Sequence, residues 1–320
     1  MLTPPPLFVS FPDAERFRRA AEGGLPEHEI ALGVSLAERK LPPVTSTESL
    51  SLLFGFSPRF IGAMARHPAR YYRRFLVPKG RSGETREIAS PRVSLKVIQS
   101  WFGHHLARHH RPAEHVHGFV PGRSTISAAA AHCPADWVVS VDVENFFGSV
   151  TVRQVHDALK QLRYPGPAAW LMAKLTTLNG VLAQGSPASP PLSNIAFSSA
   201  DQALEDLSRE LGLRISRYAD DVAVSGEGSV PERVVGALES CVVKAGWKIA
   251  RGKTRIMTKP GAVRVLGLNV CHATPRLPKH YRNRIRMMRH MLVRNEDSLR
   301  NPSRYRGHVA YARAVERTRG

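Results

Sequence analysis

The sequence predicts an α+β fold with a helical N-terminal segment. Three patterns point there: helical apolar spacing in the first quarter, short β-rich runs alternating with helical stripes in the centre, and a basic, mainly helical tail. At 320 residues, 42% of them hydrophobic, the chain is long enough for a sizeable core or for two or three packed subdomains. No run approaches the roughly 18 consecutive apolar residues of a membrane helix, which argues against a transmembrane span. The start, MLTPPPLFVSFPDAERF, lacks the basic opening and apolar run of a signal peptide, so a cytoplasmic location is expected.

Residues 12–75 read as helices. Thr45-x-x-Glu48 has the form of a capping box, followed by Leu50, Leu52, Leu53 and Phe56. The stretch TESLSLLFGFSPRFIGAMA fits either a helix-turn-helix or a short helical hairpin packed on a larger domain. Residues 76–90, LVPKGRSGETREIAS, predict a β-hairpin with Ser82-Gly83 at the turn. A helix is expected over 94–108, with Leu95, Ile98, Trp101, Phe102 and Leu106 on one face. A loop holding Gly118 and Gly122 leads to an Ala-rich helix around 125–132.

The centre is expected to begin with a strand over 137–143 that carries Asp142 at its end. Val155, Ala158, Leu159 and Leu162 have helical spacing. One long helix is predicted over 194–211, with Phe197, Ala200, Leu204, Leu207 and Leu211 as its stripe and Gly212 as its C-cap. Two short strands, 213–218 and 222–225, flank Ala219-Asp220-Asp221. A helix over 231–245 starts on proline, and strands around 247–250 and 264–270 close the region. In the tail, Ile285, Met288, Met291 and Leu292 form an apolar face among many arginines.

Lys and Arg number 46 against 26 Asp and Glu, a formal charge of +20. Such an excess favours a polyanionic partner, because basic side chains displace counterions condensed on a phosphate backbone. The three cysteines, Cys133, Cys241 and Cys271, are far apart and lack zinc-ligand spacing, which fits a reducing compartment. The histidine runs His104-His105 and His109-His110 read as solvated helix faces.

Asp220-Asp221 between two apolar strands is either turn chemistry or a site. Adjacent carboxylates repel, so a partly buried pair needs a compensating cation. Asp142 adds a third carboxylate at the end of a strand rich in Val and Trp, where charge is expensive. With the strands side by side, Asp142 and Asp220 would meet at the sheet surface. Carboxylates so arranged suit two Mg²⁺ ions, which favour oxygen ligands and drive in-line phosphoryl displacement.

Tyr218-Ala219-Asp220-Asp221 resembles the YADD box of bacterial reverse transcriptases. Asp142-Val-Glu-Asn-Phe-Phe147 is similar to their first metal-binding box, and Gln184-Gly-Ser-Pro-Ala-Ser-Pro190 to their QGxPxSP loop. Lys253-Thr254 and Leu266-Gly267 match the two boxes that follow, and the resemblance covers about residues 45–318 in family order. It implies a right-hand polymerase: a helical region over 1–70, fingers over 71–135, a palm over 136–262 and a basic thumb over 263–320. Asp142, Val143, Asp220 and Asp221 become the metal-binding positions, with Asp221 the least direct ligand. Lys79 and Arg86 are implied to grip the triphosphate, where long cationic donors suit phosphate oxygens. Phe147 is implied to exclude a 2′-hydroxyl, Gln184 to lie along the nucleotide, and Lys253 to stand near the departing pyrophosphate. Gly267 corresponds to the turn that supports the primer end. Charge bias in the tail adds Arg282, Arg286 and Arg289 as nucleic-acid contacts.

Within the family the retron branch fits best. HGFVPGRSTISAAAAH resembles the retron insertion that ends in histidine, here His132, and LPKHYRNRIRMMRH and RYRGHVAYARAV resemble retron thumb segments. The chain departs from the branch at Ala128-Ala129, where Asn-Ala is usual, and at Val265-Leu266-Gly267, where Val-Thr-Gly is usual. The resemblance implies a structured noncoding RNA as template and primer, deoxynucleotides as substrates, a DNA product joined to RNA, and a separate effector protein in phage defence. An intron-derived or other defence-associated enzyme with different priming, a non-catalytic RNA scaffold and a helix-turn-helix DNA binder are the competing readings.

Overall fold

The computed structural model describes residues 13–79, 83–293 and 302–319. The chain forms two compact units, Met1–Pro112 with Asn145–Ser198, and Ala113–Glu144 with Ser199–Gly320.

The first unit opens with four helices whose starts follow from local chemistry. Asp13 caps Ala14–Ala21, its carboxylate accepting from the amides of Glu15 and Arg16. Glu27–Glu38 packs against that helix, so that Phe17, Ala21, Ile30 and Val34 share one buried cluster. Thr47–Phe54 and Pro58–Arg66 form a helical hairpin. Gly55 ends the first helix in the left-handed region at φ 72°, and Ser57 caps the second by accepting from the Phe60 amide. The capping box expected at Thr45 and Glu48 lies one residue later, on Ser46 and Ser49. The Thr45 hydroxyl donates to Glu29 instead, because a serine hydroxyl at the third helical position closes the box as a glutamate would.

Tyr72–Pro78 and Thr85–Pro91 pair as an antiparallel hairpin, with the Lys79 amide donating to the Glu84 carbonyl at 2.7 Å. Of the expected turn, Ser82 lies outside the described residues. Val93–His109 buries Leu95, Ile98, Trp101, Phe102 and Leu106. Its histidines are less solvated than expected: only His104 is exposed, and His105 stands edge-on to Trp101 with ring centroids 5.3 Å apart. Burial, reinforced by His104, pushes His105 down to about 4. Val152–Gln161 buries Val155, Ala158 and Leu159 and packs with Gly166–Thr176, a helix the sequence reading did not anticipate.

The second unit is built on a four-stranded antiparallel sheet in the order Arg214–Tyr218, Asp221–Gly226, Trp137–Asp142, Arg255–Thr258. Val138 and Ala223 face a core shared with Val265, Leu268, Val270 and Val315. The expected long helix over 194–211 is two, Ser189–Ala196 and Ser198–Glu210, with Phe197 as the C-cap of the first. Val234–Lys244 begins three residues after Pro231, not on it. The strand expected over 247–250 is a single bridge, Ile249 to Val143. The fourth strand is Arg255–Thr258, whose mostly exposed residues carry no alternation to read. Arg264–Val265 and Leu268–Asn269 form a tight hairpin across Leu266 at φ 48° and Gly267 at φ 82°. Two successive left-handed residues are what a two-residue hairpin loop of type I′ demands.

The tail forms Lys279–Val293 and Pro302–Glu316, tied by a 2.7 Å hydrogen bond between the Tyr281 hydroxyl and His308 Nδ1. Met288 is buried and Ile285 and Met291 are half-buried; the Leu292 side chain lies outside the described residues. Among the described residues no helix is long and apolar enough to cross a membrane.

Candidate active site

The turn between the first two sheet strands holds only Ala219 and Asp220, since Tyr218 pairs directly with Asp221. Asp142 stands opposite Asp221 on the neighbouring strand, and the Val143 amide donates to the Asp220 carbonyl at 2.8 Å. The sequence reading expects Asp142 and Asp220 to meet at the sheet surface; in the register the cross-strand partner of Asp142 is Asp221, with Asp220 next to it in the turn. Three acidic residues therefore come from two adjacent strand ends. Their mutual repulsion is visible at Asp221: burial first, then the charges of Asp220 and Asp142, push its carboxyl up to about 6, against the pull of Arg255 and Lys253.

Lys253, at the end of the short 3-10 turn Arg251–Lys253, forms an ion pair with the Asp142 carboxylate. The Asp142 carbonyl accepts from the Ala250 amide at 2.9 Å, which ties that turn to the strand end. Among the described residues no three carboxylate, imidazole or thiol groups stand close enough together to hold an ion as they are. The donor chemistry nevertheless fits a hard divalent cation. Asp142, Asp220 and Asp221 offer anionic oxygens, and such a cation would neutralise the charges of Asp220 and Asp142 that add to burial in raising Asp221.

Behind the turn lies a buried ion pair that the sequence reading missed. The Arg217 side chain is fully buried; its Nε meets Asp201 Oδ1 at 2.6 Å and its Nη2 meets Oδ2 at 2.7 Å. Its Nη1 donates to the Ala219 carbonyl at 3.1 Å. His115 Nε2 stands 3.4 Å from Asp201 Oδ1. Burial works to raise the Asp201 carboxyl, but the Arg217 charge and the His115 contact outweigh it and hold the group below the usual range. The sequence carries little signal for it, since Arg217 follows Arg214 and Ser216, and Asp201 stands among Ser198, Ser199 and Gln202. Gly118 covers the other side of the turn, where an added Cβ would lie 2.4 Å from the Ala219 nitrogen.

Lys79, Arg86, Phe147 and Gln184 all belong to the first unit. Lys79 Nζ is 3.2 Å from Glu84 Oε2, and Arg86 is exposed opposite Val77 in the hairpin. Phe147 is half-buried beside Phe146, which is itself buried against Phe197. The Gln184 carbonyl accepts from the Ala89 amide at 2.8 Å, so its loop runs along the hairpin strand. Gly185, at φ 121°, leaves no room for a side chain: a Cβ would sit 2.7 Å from the Ala89 carbonyl oxygen. A buried network also missed from sequence anchors the loop, with Ser186 donating to Gln99, and Gln99 donating to the Tyr72 hydroxyl and the Leu175 carbonyl. In the second unit Gly267 forms the tight turn already described, and Arg282, Arg286 and Arg289 are exposed on Lys279–Val293. Their spacing of four and three residues puts them on one helical face.

The family described as reverse transcriptase (RNA-dependent DNA polymerase) matches residues 77–270. The Retron Mx65 reverse transcriptase of Myxococcus xanthus is 33% identical over 303 residues, 88% of this chain and 70% of that protein. The Retron Se72 reverse transcriptase of Salmonella heidelberg is 28% identical over 254 residues, 77% of this chain and 67% of that protein. The Retron Ec86 reverse transcriptase of Escherichia coli is 29% identical over 201 residues, 62% of each chain. The chain belongs to the reverse transcriptase family, the RNA-directed DNA polymerases, and within it to the retron type.

Proposed function

We propose that this retron-type enzyme copies a structured noncoding RNA into single-stranded DNA that stays covalently joined to RNA, the product called msDNA. Asp142, Asp220 and Asp221 are its catalytic carboxylates. The observation that carries the assignment is the strand register, with Asp142 opposite Asp221 and Asp220 in the intervening turn. In this reading residues 1–70 are a helical extension, 71–135 the fingers, 136–262 the palm and 263–320 the thumb.

Two magnesium ions, held by the three carboxylates and Val143, would lower the pKa of the attacking hydroxyl and stabilise the leaving oxygen. The chain's own residues do the rest. Lys79 and Arg86 bind the triphosphate, and Lys253 meets the departing pyrophosphate. Phe147 occupies the space a ribose 2′-hydroxyl needs, so deoxynucleotides enter preferentially. Gln184 and Gly185 lie along the incoming nucleotide. Gly267 supports the primer end, and Arg282, Arg286 and Arg289 follow the phosphate backbone of the leaving duplex. Priming from a 2′-hydroxyl within the RNA, and work in anti-phage defence with a separate effector protein, rest on the resemblance to retron enzymes.

Replacing Asp220 by Asn tests the carboxylate assignment. Primer extension should be abolished while filter binding of RNA stays near that of the unaltered enzyme, because phosphate contacts are made elsewhere. Near-normal extension would refute it. Sequencing the nucleic acid that copurifies with the protein tests the retron reading, with branched RNA–DNA of one sequence as the expected result. A heterogeneous or linear product would favour an intron-like mode of priming, to which Val265-Leu266-Gly267 is the nearer match.

A further inference from the structure

Asp201 and Arg217 are, among the described residues, the only aspartate, glutamate, lysine or arginine side chains that are buried. A buried ion pair is a poor device for stability, because desolvating two charges costs much of what their attraction returns, and apolar replacements are often neutral or stabilising. Its geometry suggests another use. Both Asp201 oxygens are engaged by Nε and Nη2 of Arg217, which fixes the plane of the guanidinium. The remaining arm, Nη1, then points at the Ala219 carbonyl.

Ala219 is where the turn needs help. It sits at φ 58°, in the left-handed region that a non-glycine residue adopts at a cost, directly before Asp220. The backbone of Arg217 is held too: its amide donates to the His115 carbonyl and its carbonyl accepts from the His117 amide, both at 2.8 Å. Gly118 then closes over the Ala219 nitrogen. The turn is thus clamped by a carbonyl contact on one side and a glycine on the other.

We propose that Asp201 and Arg217 are positioning residues of the polymerase reaction, aiming one guanidinium N–H at the Ala219 carbonyl to lock the two-residue turn that carries Asp220. The inference rests on the assignment of Asp220 and Asp221 as catalytic carboxylates. Neither positioning residue touches substrate; they act through the turn.

The test replaces the pair by apolar groups of similar size, Asp201→Leu with Arg217→Met, beside Arg217→Lys alone and Asp220→Asn as reference. Lysine keeps the charge but cannot serve both Asp201 oxygens and the Ala219 carbonyl. The double variant should fold with a thermal midpoint no lower than that of the unaltered enzyme. Its kcat for primer extension should fall by roughly 100-fold, the scale of a small misplacement of reacting groups. KM for deoxynucleotide and affinity for RNA should hardly move, and amide exchange across 218–222 should accelerate in the enzyme without nucleotide. Arg217→Lys should show the same pattern. A folded variant with unaltered kcat and unaltered exchange overturns the proposal, provided Asp220→Asn is inactive. An active Asp220→Asn instead overturns the carboxylate assignment beneath it. If neither Arg217 variant folds, the pair is a requirement of the fold and the proposal is wrong as stated.

Discussion

His132 offers a test in which the sign and size of an effect both follow from structure. It is completely buried, with Nδ1 2.7 Å from the Ser225 hydroxyl and Nε2 2.7 Å from the Ser216 hydroxyl. Those serines lie on the two strands joined by the Ala219-Asp220 turn, so the ring bridges them. Burial first, then the charges of Arg214 and His117, push its pKa down to about 3. The unfolded chain, near 6.5, therefore takes up the proton before the folded one does. The stability His132 contributes is complete above ~6.5 and is lost as pH falls toward 3. Between about pH 7.5 and pH 5 this one group removes about 2 kcal/mol. His132→Gln keeps a donor and an acceptor between the serines but cannot titrate. It should cost about 1 kcal/mol near neutrality, the worth of an imperfectly replaced hydrogen bond. Its loss on acidification should be smaller than that of the unaltered protein by about 2 kcal/mol. His117 and His105, each pushed down to about 4, keep the remaining slope. Urea unfolding at the two pH values measures the difference. A variant with the full acid sensitivity would show that His132 is not held neutral.

Phe147→Ala should admit ribonucleotides, read as a lower ratio of dNTP to rNTP incorporation; an unchanged ratio in a folded variant would return the ring to the core. Gly185→Ala should lose about 2 kcal/mol or more of stability, checked by thermal unfolding, because its Cβ would meet the Ala89 carbonyl at 2.7 Å in a left-handed backbone. Changing Arg282, Arg286 and Arg289 together to Ala should weaken RNA binding and flatten its salt dependence, each lost contact removing roughly 0.7–0.9 from the slope of log K against log salt. An unaltered slope would make that helix face an ordinary charged surface.

Much of the candidate site was legible because its signals are local. Asp142 ends a β-branched strand, and Asp220-Asp221 stands directly before the apolar run Val222-Ala223-Val224, so charge stands out where burial is expected. The stretch 47–66 left a helix-turn-helix and a helical hairpin both open; in the structure Gly55, Ser57 and Pro58 set the ends of its two helices through backbone and capping preferences that act within one turn. The errors were also local. Ser49 does a glutamate's work in the capping box, and the helix expected over 194–211 breaks at Phe197, which interrupts the ladder without interrupting the apolar stripe.

The sequence by itself determined the family, the candidate carboxylates Asp142, Asp220 and Asp221, and the positive charge that suits a nucleic-acid partner. Tertiary structure alone decided the register that sets Asp142 opposite Asp221, the use of Arg255–Thr258 as the fourth strand, and the pairing of Asp201 with Arg217. Each depends on pairing between separate elements, across which no periodicity runs. Whether a strand is paired, or a buried charge is compensated, is settled by the partner that the folded chain brings to it.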